Sequence, residues 1–127
     1  MTDMNIINRR LEISDELIEN VLAEAFMGGI VYWADNISCE DIKDMHKVGG
    51  WKHEYLTKTK KKDAVMYIHD GETGEKYPMT KKSIVDALQK LDAEHSATLD
   101  RILSEQYDAD DADIVVQTAC FGEIVFG

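Results

Sequence analysis

Apolar residues at Leu17, Ile18, Val21, Leu22, Ala25 and Phe26 recur at the spacing of one helix face. Ser14 precedes them as an N-cap, Asp15 and Glu16 suit the positive end of the helix dipole, and Ile13 with Ile18 occupies the two positions of a hydrophobic staple. Gly28 and Gly29 supply a stop, or a place where the backbone comes close to a ligand. The period then changes. Ile30 to Ala34 is β-branched and aromatic on both faces and predicts a strand, with Trp33 in the core or on a binding platform. A short helix is expected around Glu40 to His46. From Gly50 the residues alternate, Trp51, His53, Tyr55 and Thr57 on one side and Lys52, Glu54, Leu56 and Lys58 on the other, which predicts a second strand with one wetter face.

Ala64 to His69 is the strongest strand pattern, followed by turn signals at Asp70-Gly71 and Thr73-Gly74 and then by Glu75 to Met79. Pro78 cannot donate a ladder hydrogen bond, so this last strand is short or lies at an edge. Thr80 caps a helix whose buried stripe is Ile84, Val85, Leu88 and Leu91, and a further helical stretch carries Leu99, Ile102 and Leu103. The pattern leaves open whether helices 81–94 and 97–106 are continuous. Near the C-terminus, Ala112, Val115, Val116, Ala119 and Cys120 form another helical stripe ended by Gly122, and Glu123 to Phe126 has the composition of a final strand. The expected fold is α+β over a single domain, residues 1–127: a small, mostly antiparallel sheet, built from a meander plus strands near Ile30 and Ile124, packed by amphipathic helices.

Four acids crowd Asp108 to Asp113. Counted from Asp108, an EF-hand would need an acid at the fifth position, glycine at the sixth and glutamate at the twelfth, where the chain has Ala112, Asp113 and Ala119. The cluster instead suits a helix start: Asp108 or Asp110 caps and the others line the first turn. No metal site and no cofactor motif is expected. The histidines, His46, His53, His69 and His95, are not spaced to pair with each other or with Cys39 or Cys120. His69-Asp70 reads as a polar strand end.

Net charge changes the picture for partners. The chain carries a formal charge of −11, but it is unevenly spread: residues 51–90 hold nine bases and six acids, whereas residues 91–127 hold one base and nine acids. A net acidic surface repels nucleic-acid backbones and membrane headgroups, so neither general nucleic-acid binding nor membrane association is expected. Two distant cysteines, no apolar run long enough to span a bilayer and no signal-peptide pattern point to a cytoplasmic protein. The candidate ligand or partner surface is Trp51, His53, Tyr55 and Lys58, with Lys60 to Lys62 nearby and Trp33 as a further candidate. Aromatics beside lysines are the ingredients of a nucleotide site, and equally of cross-strand pairs packed under a helix with lysines guarding an edge.

Three blocks, GGIVYWAD from Gly28, YPMTKKSIVDAL from Tyr77 and DADDADIVVQTACFGEIVFG from Asp108, are similar to a widespread family of small acidic proteins encoded by bacteriophages and prophages. They cover under half of the chain, and Asn36 to Lys62 lies outside them. The resemblance implies a phage accessory product in a bacterial host cytoplasm and carries no catalytic or binding residue with it. The expected function is non-enzymatic: stoichiometric binding to a host defence or regulatory protein, or to a nucleotide-like signal. The alternatives are an enzyme using His53 or His69 with nearby acids on a small substrate, and a structural subunit of the phage particle. Apolar character on both faces of two strands adds the expectation of a symmetric homo-oligomer.

Overall fold

The computed structural model describes residues 10–127. Among them are six α-helices and one three-stranded antiparallel sheet, the α+β class expected. Helix α1 (Asp15–Glu24) begins at Ser14, whose hydroxyl accepts a hydrogen bond from Leu17 N at 3.1 Å. It buries Leu17, Ile18, Val21 and Leu22 and runs on as a π-helical turn, Ala25–Gly29.

The expected strand at Ile30 is a turn instead. Trp33 N and Ala34 N both bond back to the Ile30 carbonyl, at 3.0 and 2.8 Å, so Ile30 and Trp33 point inward while Val31 and Tyr32 face out. Burial at i and i+3 is a helical-turn signature, and it overrides the β-branched composition. Strand β1 starts later, at Ala34–Cys39.

Helix α2 (Ile42–Lys47) is capped by Asp41. Gly49 and Gly50 follow with φ of 117° and 80°, values that only glycine adopts readily, and they turn the chain into α3 (Lys52–Lys58). This corrects the second expected strand. Tyr55 and Leu56 are adjacent in sequence and both buried, at 1% and 4% exposure, which a strand would place on opposite faces. The Lys58–Glu54 pair at i,i+4 and the Thr57 hydroxyl donating to Glu19 of α1 belong to the helical arrangement as well.

Strands β2 (Met66–Asp70) and β3 (Lys76–Met79) complete the sheet in the order β1-β2-β3, with Pro78 on the edge strand as expected. Met66, Ile68 and Met79 are fully buried on the inner face. The register places Asn36, Ser38, Tyr67, His69 and Lys76 together on the other face. That outer face is polar or half-exposed, so the sheet lacks the second apolar face on which self-association was expected to rest. Helix α4 (Lys81–Glu94) opens with a reciprocal capping box between Thr80 and Ser83. His95 breaks the chain at φ −142°, ψ 58°, so α5 (Ser96–Leu103) is a separate helix.

Helix α6 (Ala109–Phe121) ends at Gly122, φ 76°. Its Val115 and Val116 enter one hydrophobic cluster with Leu22, Ile68, Ile84 and Ile102. No strand forms at Ile124: residues 124–127 belong to no helix or strand, and Val125 N and Phe126 N each donate to Gln117 Oε1 at 2.8 Å. The C-terminal segment is docked by a side chain rather than by a sheet.

Candidate functional site

The first and last quoted blocks meet in space, and the meeting point is Asp113. Its Oδ1 accepts from Trp33 Nε1 at 2.8 Å and from Gln117 Nε2 at 2.9 Å, and its Oδ2 accepts from the Tyr32 hydroxyl at 2.6 Å. Asp113 is buried at 6% exposure and Gln117 at 0%, so each polar atom needs these partners in place of water. Burial first, then the bond to Asp113, pushes the Tyr32 phenol up to about 12. Both Asp113 oxygens are thus occupied by donors, and the Tyr32 phenol is held in its neutral form.

Aromatic packing extends this centre. Trp33 stacks on Phe126 with ring centroids 4.8 Å apart and 11° between planes, and Phe121 meets Trp33, Phe126 and Tyr77 at 5.7, 5.8 and 4.6 Å. Tyr77 brings in the middle block. Close approach of the first block to α6 explains Gly29: a Cβ there would overlap the Ala109 carbonyl oxygen and lie 3.2 Å from Asp113 N.

The acidic cluster therefore divides its labour. Asp108 caps α6 by accepting from Asp111 N at 2.9 Å, as expected of a helix start. Asp111 in turn accepts from Asp108 N at 3.3 Å and from Arg101 twice, at 2.8 and 2.7 Å, and the guanidinium holds its carboxyl below the usual range. Asp113 departs from the expectation, because it serves the Tyr32–Trp33 turn and not the helix dipole. Among the described residues no group of three His, Cys, Asp or Glu side chains is arranged to hold a metal ion.

Above Asp113 the surface opens into a groove of about 420 Å³ between the Tyr32 turn and the β2–β3 turn. Its walls carry Val31 and Tyr32, 59% and 57% exposed, and the carboxylates of Asp35 and Glu72. A bulge between Ala34 and Asn36 leaves Asp35 without a partner in the ladder, the device by which strands re-aim a side chain beside a site. Across the groove, Asp70 ties its turn with bonds from Glu72 N and Thr73 N at 2.8 and 3.2 Å, and Gly71 N reaches the Trp33 carbonyl at 2.9 Å. Among the described residues neither Asp35 nor Glu72 has a cationic partner.

The site residues expected from sequence do not share one face. Trp51 is 64% exposed at the start of α3 and lies 6.0 Å, ring to ring, from half-buried His53. Tyr55 points the other way, into the core. Its hydroxyl donates to Asp44 at 2.7 Å, and burial followed by that bond raises its pKa. Lys58 is held by Glu54. Trp33 is buried in the centre just described, well within the core cluster. His69 meets Ser38 across β1 and β2, Oγ to Nε2 at 2.7 Å, on the open outer face of the sheet.

Sequence reasoning passed over Tyr32, Asp113 and Gln117. The available signal was Asp113 and Gln117 at i,i+4 beside an apolar helical stripe, in a chain whose Tyr and Trp hydrogen-bond donors would need buried acceptors. Comparison with family models, with curated proteins and with solved structures returns no match for this chain.

Proposed function

We propose that this protein is a non-enzymatic accessory protein of phage or prophage type that acts by stoichiometric binding to a host protein, through the groove beside Tyr32. The observation that carries this reading is the pairing of a locked base with an exposed, acidic rim. Asp113 and Gln117 use their hydrogen bonds to fix the Tyr32–Trp33 turn, while exposed Tyr32, Asp35 and Glu72 are left for a partner. A preorganised aromatic flanked by carboxylates suits a basic side chain: the aliphatic stem of an Arg or Lys packs on the ring and its charge meets the acids. Net negative charge would speed encounter with such a surface. With both its oxygens committed to Tyr32, Trp33 and Gln117, Asp113 acts as a scaffold for the turn, which supports binding at this site.

The test places a photo-crosslinking residue at Val31 in the protein expressed in a bacterial host, beside the charge-reversed pair Asp35→Lys and Glu72→Lys. The reading expects one host protein crosslinked at Val31, binding at a fixed molar ratio, and lost in the charge-reversed variant while its circular dichroism is unchanged. A partner retained by the charge-reversed protein, or crosslinking spread without preference over many host proteins, sinks it.

A further inference from the structure

The lysines of the middle segment gather at a second place, away from the groove. Lys60, Lys61 and Lys62, from the connection after α3, face Lys81 and Lys82, from the first turn of α4, across a cleft of about 490 Å³. Volumes of roughly 300–1,000 Å³ are usual for small-molecule sites. Asp63 is the carboxylate among the lining residues. Three of the lysines have exposed acidic neighbours: Lys61 with Asp41 at 3.5 Å, Lys81 with Asp15 at 3.0 Å and Lys82 with Asp86 at 2.6 Å. Lys60 and Lys62 have no ionic partner among the described residues.

Five lysines line this one concavity with a single carboxylate residue among them, and in a chain of net charge −11 that concentration cannot be ascribed to a generally basic surface. Exposed Lys–carboxylate pairs contribute little to stability, so a more highly charged ligand displaces the acids at small cost. The cleft's other walls are Leu56, Ala64 and Val65 with threonine hydroxyls, and no aromatic ring lines it. Base stacking, the mainstay of single-strand recognition, is therefore not on offer. What the lining supplies is several point charges at close quarters, which matches a chain of phosphates and not a base.

We propose that this cleft is a binding site for a di- or triphosphate group, gripped through its phosphates, with whatever the phosphates are attached to lying outside the cleft. The site is independent of the groove beside Tyr32 and stands or falls by itself. The experiment is isothermal titration with inorganic tripolyphosphate, with adenosine triphosphate, with adenosine and with a short oligothymidylate, on the natural chain and on Lys60→Gln/Lys62→Gln. One saturable site is expected for tripolyphosphate, with the nucleotide binding within about threefold of it because the base is not contacted, and adenosine giving no heat. The double variant should weaken tripolyphosphate by about tenfold or more, with unchanged circular dichroism and melting temperature, since both side chains are exposed. A control, Lys43→Gln/Lys47→Gln on α2, should leave affinity unaltered. A nucleotide bound far more tightly than tripolyphosphate would mean that the base is read and the phosphate-only assignment is wrong. Tighter binding of the oligothymidylate than of tripolyphosphate would mean that a nucleic-acid strand is the ligand and would overturn the assignment. No saturable tripolyphosphate binding, equal affinity in Lys60→Gln/Lys62→Gln, or equal loss in the α2 control would each overturn the site.

Discussion

Two tryptophan–tyrosine pairs have opposite fates in this molecule. In the turn after α1, Trp33 is buried at 5% exposure and Tyr32 is 57% exposed, whereas at α3 Trp51 is 64% exposed and Tyr55 is buried at 1%. Each tyrosine hydroxyl donates a hydrogen bond to an aspartate, Tyr32 to Asp113 at 2.6 Å and Tyr55 to Asp44 at 2.7 Å. The difference lies in the tryptophan. Asp113 and Gln117 furnish a buried acceptor network for the first pair, so the Trp33 indole N–H can leave water. Trp51, at the start of a short helix, has no such acceptor among the described residues and is 64% exposed. A large aromatic is buried only where its polar handle is also provided for, and this decides which pair becomes core and which surface.

The sharpest way to break that comparison is Asp113→Ala. It strands the buried Trp33 indole donor and takes one of the acceptors of Gln117 Nε2, and should cost about 2–4 kcal/mol, read as a lower chemical-denaturation midpoint with quenched or shifted Trp33 fluorescence. A loss no larger than a surface substitution gives would mean that water replaces the carboxylate and the centre is not built as described. Tyr55→Phe removes one hydrogen bond while keeping the ring, and about 1 kcal/mol of destabilisation is expected in the same measurement.

Acid should reveal the pair at α6. The folded pKa of Asp111 is depressed, mainly by Arg101, so its contribution is present above the ordinary carboxylate value near 4 and is lost as pH falls through the lowered folded value. In Arg101→Gln the melting-temperature deficit relative to the natural chain should be largest at neutral pH and shrink below about pH 4. A deficit that grows on acidification would contradict the sign. Because Arg101 is half exposed, the effect is expected to be small. Least of all, Trp51→Ala should leave stability within about 0.5 kcal/mol, in contrast to its buried counterpart.

Much of the fold was legible in the sequence where local chemistry acts alone. Ser14, Thr80 and Asp108 each cap a helix as their positions promised, because a side-chain oxygen three residues before an orphan N–H needs no tertiary help. Pro78 sits on an edge strand for an equally local reason. The misreadings fall on short segments whose composition and period disagree. Ile30 to Trp33 has strand composition with a turn's burial, and Trp51 to Lys58 alternates by type yet buries the adjacent Tyr55 and Leu56. Over five to eight residues, two periods can fit the same letters, and the packing partner breaks the tie.

The candidate groove was the least legible part, since Tyr32 and Asp113 are separated by 81 positions and neither carries a motif. By itself the sequence determined the helix starts, the α+β class, the long amphipathic faces and the gathering of charge into a basic stretch, residues 51–90, and an acidic one, residues 91–127. Only the tertiary structure decided which carboxylate of the cluster would leave the helix tip to hold an indole and a phenol, and which lysines would face one another across a cleft. The physical reason is range. Caps and periodicities are set by neighbours within a turn or two, whereas the burial of a polar group depends on an acceptor that another part of the chain must bring.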